Sequence, residues 1–269
     1  MEGSPARLVH RNLMDVTRWG AEGSQARVEE SDGELLIASP ASLQFLNALM
    51  REARDGGADE LLERARDFFF ERGRGFVVYT WPGDPGLERA TLAAGMFPVL
   101  ERYPEMVCRS PLEPVAGELR AVGDEEDAAA DWRVCDEAYP SIGFPRGMFS
   151  EIFAPELLLD GDRVWACIAR EDGRPVACAS LWLTSGGGST VGFVGWVAAL
   201  PETRGRGLAA ACIVAATNKA FELGAQLASL QASPMGEALY RRLGYEELFA
   251  YRLMGAVPPE HAASGLPAS

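Results

Sequence analysis

Residues 201–224 read PETRGRGLAAACIVAATNKAFELG. Pro201 opens a turn, Arg204-Gly205-Arg206-Gly207 follow, and an alanine-rich run then continues without a breaker to Gly224. Alanine is the best helix former and a closing glycine is a common stop, so the run predicts a helix. The apolar stretch GGGSTVGFVGWVAAL at 186–200 predicts a strand after a glycine loop, immediately before the turn. A helix start presents about four unpaired N–H donors and roughly half a positive charge. Glycines ahead of it let the backbone adopt positive φ and let a ligand approach with no Cβ in the way. Strand, glycine turn and helix together make a cradle for a phosphate or pyrophosphate, with Arg204 and Arg206 adding charge at its mouth. The turn lacks the Lys-Ser/Thr of a P-loop. It also lacks the first glycine of the dinucleotide fingerprint, having Thr203 and Arg204 ahead of Gly205.

Working outward, the stretch SPLEPVAGELRAVGDEEDAAA at 110–130 is rich in proline, glycine and acids and divides the chain near its middle. After it come a short strand ELRAV, a helix capped around Asp124, and a turn-rich connection PSIGFPRGMF. Two apolar strands, DRVWACIARED and RPVACASLWLTS, are joined at the turn Asp172-Gly173. Beyond the opening helix lie strand AQLASLQAS, helix MGEALYRRLG and strand EELFAYRLMG. The pattern is α/β, a mixed sheet with one main crossover. Residues 68–109 repeat the order of 220–255: helix end, glycine, apolar strand, proline turn, short helix closed by glycine, aromatic strand. Two structural copies are expected.

Composition sets the outer bounds. The chain has 269 residues, 48% hydrophobic, and no run approaching the ~18 apolar residues of a membrane helix. The first residues, MEGSPARLVHRNLMD, have no apolar signal region, so a cytoplasmic protein with no membrane partner is expected. Five cysteines in no paired spacing read as reduced, buried thiols. Two histidines, His10 and His261, lie near the ends, which argues against a histidine triad or a metal centre. A net charge of −14 argues against a nucleic-acid partner and is compatible with a cationic small molecule.

Arg204-x-x-Gly207-x-Ala209, behind the strand ending in FVGWVAALPE, resembles motif A of the GNAT acetyltransferase superfamily. ASPMGEALYRRLGYEEL downstream resembles the family's next motif, a tyrosine four residues ahead of a Gly-aromatic pair. The resemblance covers roughly 119 to 256, and the first half looks like a degenerate second copy, as in tandem GNAT proteins. It implies two GNAT-like domains, each a mostly antiparallel sheet with helices on both faces. The expected division is a degenerate domain at 1–112, a catalytic domain at 113–257 and a flexible tail at 258–269. It further implies that backbone N–H groups of Gly205, Arg206, Gly207, Leu208 and Ala209 hold the pyrophosphate of acetyl-CoA, helped by the Arg204 and Arg206 side chains. The pantetheine arm would pair with a bulged edge at Val197, Ala198 and Ala199, eased by Gly195. Ser233 stands where many members have an asparagine that contacts the cofactor.

Acetyl transfer to an amine needs a neutral nucleophile, a place for developing negative charge and a proton for the thiolate. Tyr240 matches the family tyrosine that supplies that proton, and the backbone near Val197 matches the group that polarises the carbonyl. The strand STVGFVGWVAAL carries no acid for a base. Asp136, Glu137 and Glu151, in the helical connection, are the remaining candidates, alongside substrates that arrive deprotonated. The same connection falls where the family builds its acceptor pocket, with Tyr139, Ile142, Phe144 and Met148 as apolar walls and Trp182 as floor or as packing. In the first half, Arg54, Asp55, Gly56 and Gly57 do not reproduce the motif, and Thr91 occupies the place of Tyr240. The expected activity is acetyl transfer from acetyl-CoA to a primary amine of a small molecule in a ternary complex, by a monomer or homodimer. A noncatalytic acyl-CoA sensor and a nucleotide- or phosphate-binding enzyme remain as rival readings.

Overall fold

Residues 4–22, 24–41, 43–186 and 188–259 are described by a computed structural model of the chain. The tail expected at 258–269 and His261 fall almost wholly or wholly outside them. The first half runs α1 (Pro5–Glu22), β1 (Arg27–Ser31), β2 (Glu34–Ala38), β3 (Ala48–Arg51), α2 (Ala58–Phe70), β4 (Phe76–Thr80), α3 (Pro85–Ala93) and β5 (Phe97–Cys108). The second runs β6 (Leu119–Ala121), α4 (Glu125–Ala138), α5 (Met148–Ile152), β7 (Val164–Glu171), β8 (Arg174–Gly186), β9 (Ser189–Ala199), α6 (Leu208–Glu222), β10 (Leu227–Gln231), α7 (Glu237–Leu243) and β11 (Glu246–Ala256). By contacts the chain forms two compact units, one up to Pro104 and again from Phe249, the other Glu105–Leu248.

In the first unit β1, β2 and β3 pair antiparallel, β3 pairs parallel with β4, and β4 pairs antiparallel with residues 252–256 of β11. Its core joins α2 to the sheet through Leu61, Ala65 and Phe69 against Leu36, Leu49, Phe76 and Val78. In the second unit the order is β6-β7-β8-β9-β10, followed by residues 105–108 of β5, and every pairing is antiparallel except β9 with β10. The hairpin between β7 and β8 turns at Asp172 (φ +50°) and Gly173 (φ +77°), the left-handed pair that a two-residue turn requires.

Helices cover both faces of the second sheet. Cys167, Ala169, Ala179 and Leu181 point to α6, whose Cys212, Ile213, Ala216 and Ala220 complete one core. Cys178 points the other way, to α4, where its thiol meets the Asp131 carbonyl at 3.8 Å. Alanine on α6 brings the helix close to the sheet: a Cβ added at Gly192 of β9 would lie 2.7 Å from that of Ala220. The length of the Ala-rich run and the small residue beneath it therefore serve one purpose, a close seat for the helix that the glycine turn starts.

The two halves share local geometry as well as order. The Met96 and Tyr245 amides bond back to the Thr91 and Tyr240 carbonyls, each at 3.0 Å. The Arg74 and Ala225 amides bond to the Phe69 and Ala220 carbonyls at 3.0 and 2.9 Å, closing α2 and α6 in the same way. Asp84 caps α3 by accepting from the Leu87 amide at 3.1 Å, and the Ser233 hydroxyl accepts from the Gly236 amide at 3.2 Å.

Candidate active site

The turn before α6 is built around two left-handed glycines, Gly205 (φ +79°) and Gly207 (φ +83°). Neither would have a neighbour within 4 Å of an added Cβ, so the approach to both is open. The first backbone bond of the helix runs from the Ala211 amide to the Gly207 carbonyl at 2.9 Å, which leaves the preceding amides as donors. Gly207 supplies no side-chain cap, and the first turn contains no acid. A phosphate-sized anion fits this arrangement on three counts: available donors, free space and a favourable field.

The two arginines do different things. Arg206 is exposed and pairs with Glu171 at 2.9 Å while also bonding the Glu202 carbonyl. Arg204, expected to help hold an anion, turns its guanidinium to the Ser141 hydroxyl at 2.8 Å and to the Ala138 and Ala199 carbonyls at 3.3 Å each. It ties the turn to the end of α4. Thr203 is buried and bonds the Leu200 carbonyl at 3.0 Å, anchoring the other side of the turn.

Strand β9 parts from β10 after the pair Phe193–Ser229, so its remaining residues present an edge beside the turn. Opposite, between the pairs Cys178–Ala198 and Ser180–Gly195 of β8 and β9, one residue faces two, a β-bulge at Trp196 and Val197. The expected bulge is there, but its left-handed residue is Trp196 (φ +45°) rather than Gly195. Gly195 has a different reason: a Cβ there would come 2.7 Å from the Phe193 ring. The Trp196 indole wedges among Tyr139, Phe149 and Phe153, with ring centroids 6.1, 5.0 and 5.6 Å away. Its carbonyl faces the Cys135 and Cys178 thiols at 3.7 Å each.

Tyr240, on α7, packs into the α6 core beside Tyr245, ring centroids 6.2 Å apart. Burial pushes its phenol up to about 12. It therefore remains a proton donor at neutral pH. Gly236 makes room for the ring, since a Cβ there would sit 2.7 Å from it and 3.2 Å from the hydroxyl.

The acids sort themselves clearly. Asp136 is buried and accepts from the Phe149 amide at 2.6 Å, the Ser150 amide at 3.2 Å and the Ser150 hydroxyl at 2.5 Å. It caps α5, and with three donors on its two oxygens it is poorly placed to take a proton. Glu151 is exposed on α5, and Glu137 pairs with Arg174 at 3.5 Å. Of the acceptor-side aromatics, Tyr139 and Phe144 are half-buried and meet edge to face at 5.3 Å. Ile142 is exposed, and Met148 is buried. Trp182 is packed: its indole N–H donates to Ser180 at 2.8 Å.

Sequence reading passed over Asp131, which is fully buried with both carboxylate oxygens unpartnered, beside Cys135 and Cys178 under the bulge. Burial pushes its carboxyl up to about 8 and raises both thiols. All five cysteines are free and buried, as their scattered spacing predicts. His10 is a core residue of the first unit, bonded to the Tyr251 hydroxyl and the Arg51 carbonyl at 2.8 Å each and stacked on Trp81. Among the described residues, no helix is long and apolar enough to cross a membrane.

Residues 127–245, from α4 to the end of α7, match the model of the acetyltransferase (GNAT) family. This segment is a GNAT-family domain. The GNAT assignment agrees with the solved structures the chain resembles. A GCN5-related N-acetyltransferase from Kribbella flavida has a TM-score of 0.67 at 24% identity, over 93% of this chain and 97% of that one. A GCN5-related N-acetyltransferase from Sphaerobacter thermophilus has a TM-score of 0.59 at 17% identity, over 85% and 82%. A tandem GNAT protein from the clavulanic acid biosynthesis pathway has a TM-score of 0.61 at 15% identity, over 93% and 94%. At these identities the likeness is one of fold, and it extends over both halves of the chain. No curated protein matches the sequence. The GNAT family uses acyl-CoA, and acyl transfer from it is the chemistry this fold supports.

Proposed function

We propose that the second half of this chain transfers an acetyl group from acetyl-CoA to a primary amine of a small molecule, the amine attacking directly while both substrates are bound. The observation that carries this reading is the helix start at Gly205–Ala209: left-handed glycines, open space and a first turn without acids, placed beside the edge that β9 exposes after Phe193. Acetyl-CoA supplies an activated thioester carbonyl and a thiolate leaving group.

The amides from Gly205 to Ala209 would hold the pyrophosphate, and Arg204 would act at one remove by fixing the turn they belong to. The edge at Val197–Ala199 would pair with the pantetheine arm, and the Ser233 hydroxyl would contact that arm near the β10 end. Tyr240 would give its proton to sulfur. Burial keeps this phenol neutral at rest, so it holds the proton that the thiolate requires. Tyr139 and Phe144 would line the acceptor side, close to Trp196.

The test is calorimetric titration with acetyl-CoA followed by thiol release over a panel of small amines. One molecule bound per chain and amine-dependent release are expected. Tight binding with no release from any amine would favour a noncatalytic acyl-CoA-binding module instead, and preferential binding of ATP or NAD would remove the reading altogether.

A further inference from the structure

Attack on a thioester requires a neutral amine, and the acids of the helical connection are poorly suited to producing one. Asp136 caps α5, Glu137 is paired at the surface, and β9 carries no carboxylate. The carboxylate at the right level comes from β5. Glu105 is fully buried, and neither of its oxygens has a hydrogen-bond partner.

Its position follows from strand register. Glu105 pairs directly with Gln231 of β10, so the two side chains share a face, and Ser229, two residues earlier on β10, shares it as well. The Ser229 hydroxyl and the Gln231 amide nitrogen are also buried without a partner. Pairing of β9 with β10 ends at Phe193–Ser229, so the Gln231–Glu105 rung lies two residues past the point where the strands part. Adjacent strands are about 4.8 Å apart, which puts a glutamate on β5 within side-chain reach of that fork. Tyr240 reaches β10 from the other face, packing with Ala228, Leu230 and Ala232, the alternate residues of the strand and the link beyond it. A proton donor and an unpartnered carboxylate thus flank one fork from opposite faces of one sheet.

Burial holds the Glu105 carboxyl well above the ordinary carboxylate range, and the Ser229 hydroxyl and Gln231 amide beside it, which make no formed hydrogen bond to it, offset this only in part. A buried carboxylate without a counter-charge is costly, and it is relieved by a proton or by a cation. A substrate ammonium is a cation that brings the proton with it.

We propose that Glu105 is the general base of the transfer, an inference that rests on the N-acetyltransferase reading above. One N–H bond of the ammonium breaks toward a Glu105 oxygen, giving the free amine and a neutral carboxylic acid. The nitrogen lone pair then forms the C–N bond at the thioester carbonyl, and the C–S bond breaks. Sulfur takes a proton from Tyr240, and the nitrogen's second proton restores the phenol. Glu105 returns the first proton to solvent, so each turnover releases one.

The test compares wild type with Glu105→Gln on two acceptors, an alkylamine that is an ammonium at neutral pH and an arylamine that is already neutral. Acetyl-CoA affinity, measured by calorimetry, should be unchanged. Turnover of the alkylamine should fall by ~10²-fold or more, while that of the arylamine should fall by only about three-fold. Glu105→Asp, which keeps the carboxylate, should show an alkylamine-to-arylamine ratio nearer to wild type, and it serves alone should the glutamine variant fail to bind acetyl-CoA. An equal loss on both acceptors, an undiminished alkylamine rate, or an aspartate ratio equal to that of the glutamine variant would overturn the role of Glu105 and leave the acetyltransferase reading intact. A wild-type protein that acetylates no amine overturns both.

Discussion

The starts of α2 and α6 both use left-handed glycines but have opposite surroundings. Each helix follows two left-handed glycines, Gly56 and Gly57 in one case, Gly205 and Gly207 in the other; a Cβ at Gly57 would meet the Arg54 guanidinium at 3.7 Å, whereas Gly205 and Gly207 face open space. At α2, however, Asp59 and Glu60 occupy the first turn, whereas α6 has Leu208 and Ala209 there. The cations near α2 are already matched: Arg51 is held by Asp84 and reaches the Gly56 carbonyl, and Arg54 pairs with Glu34. Near α6, Arg204 has no acid partner among the described residues and bonds only neutral oxygens. The glycine turn is therefore a folding device common to both halves. What makes one of them a candidate anion site is the charge placed around it.

The comparison can be pressed hardest through Arg51 and Asp84, which are buried and joined by bonds of 2.6 and 3.0 Å. Arg51→Met leaves the aspartate uncompensated and should destabilise the first unit by about 3–5 kcal/mol, read from thermal or urea unfolding. An unchanged midpoint would mean that the pair does not stabilise the first unit. Next, Gly207→Asp should weaken acetyl-CoA binding by ~10²-fold or more, because it sets bulk and negative charge at the cradle. Gly57→Asp should leave that affinity alone and cost about 1–2 kcal/mol of stability from its left-handed backbone. Calorimetry that finds two molecules per chain, or equal losses from the two variants, would erase the distinction. Tyr240→Phe should lower turnover by ~10²-fold with acetyl-CoA affinity kept, while Thr91→Val at the corresponding place should leave turnover unchanged.

A separate difference between the two units concerns pH. His10 in the first unit falls to about 4 from an ordinary 6.5, through burial. Its contribution is full above 6.5 and is lost as pH falls toward 4, because the unfolded chain then binds the extra proton. Asp131 in the second unit rises from 3.8 to about 8, again through burial. Its contribution is full below 3.8 and is lost as pH rises through 8. Asp131→Asn should therefore remove a decline of about 1.4 kcal/mol per pH unit within that window, measured as the difference in unfolding free energy between variant and parent. Parallel curves for the two proteins would show that Asp131 is not held protonated.

Much of this was legible in the residues, for definite reasons. The helix start at 207 is local: two glycines, an alanine run and a preceding strand leave few other solutions. Tyr240 was singled out by resemblance to the family's second motif, and the structure places it one helical turn ahead of the left-handed Gly244. Other features depended on neighbours that sequence does not name. Asp136 looks like any helix acid until α5 brings the Phe149 and Ser150 amides to it. Arg204 looks like an anion ligand until the end of α4 offers Ala138 and Ser141. Trp196, a bulky residue at positive φ, runs against local preference and is held there by packing among three aromatic rings. Glu105 lay in the wrong half of the sequence to be considered, since only the register of β5 on β10 carries it to the fork.

That register bears on how such a gene can change. Residues 105–108 complete the sheet of the second unit, and residues 252–256 complete that of the first. The first unit thus owns a strand segment encoded beyond the whole of the second, and the second begins inside the strand that ends the first half. Recombination that removed the first half at its sequence boundary would also strip β10 of its neighbour, and loss of the C-terminal strand would open the edge of β4.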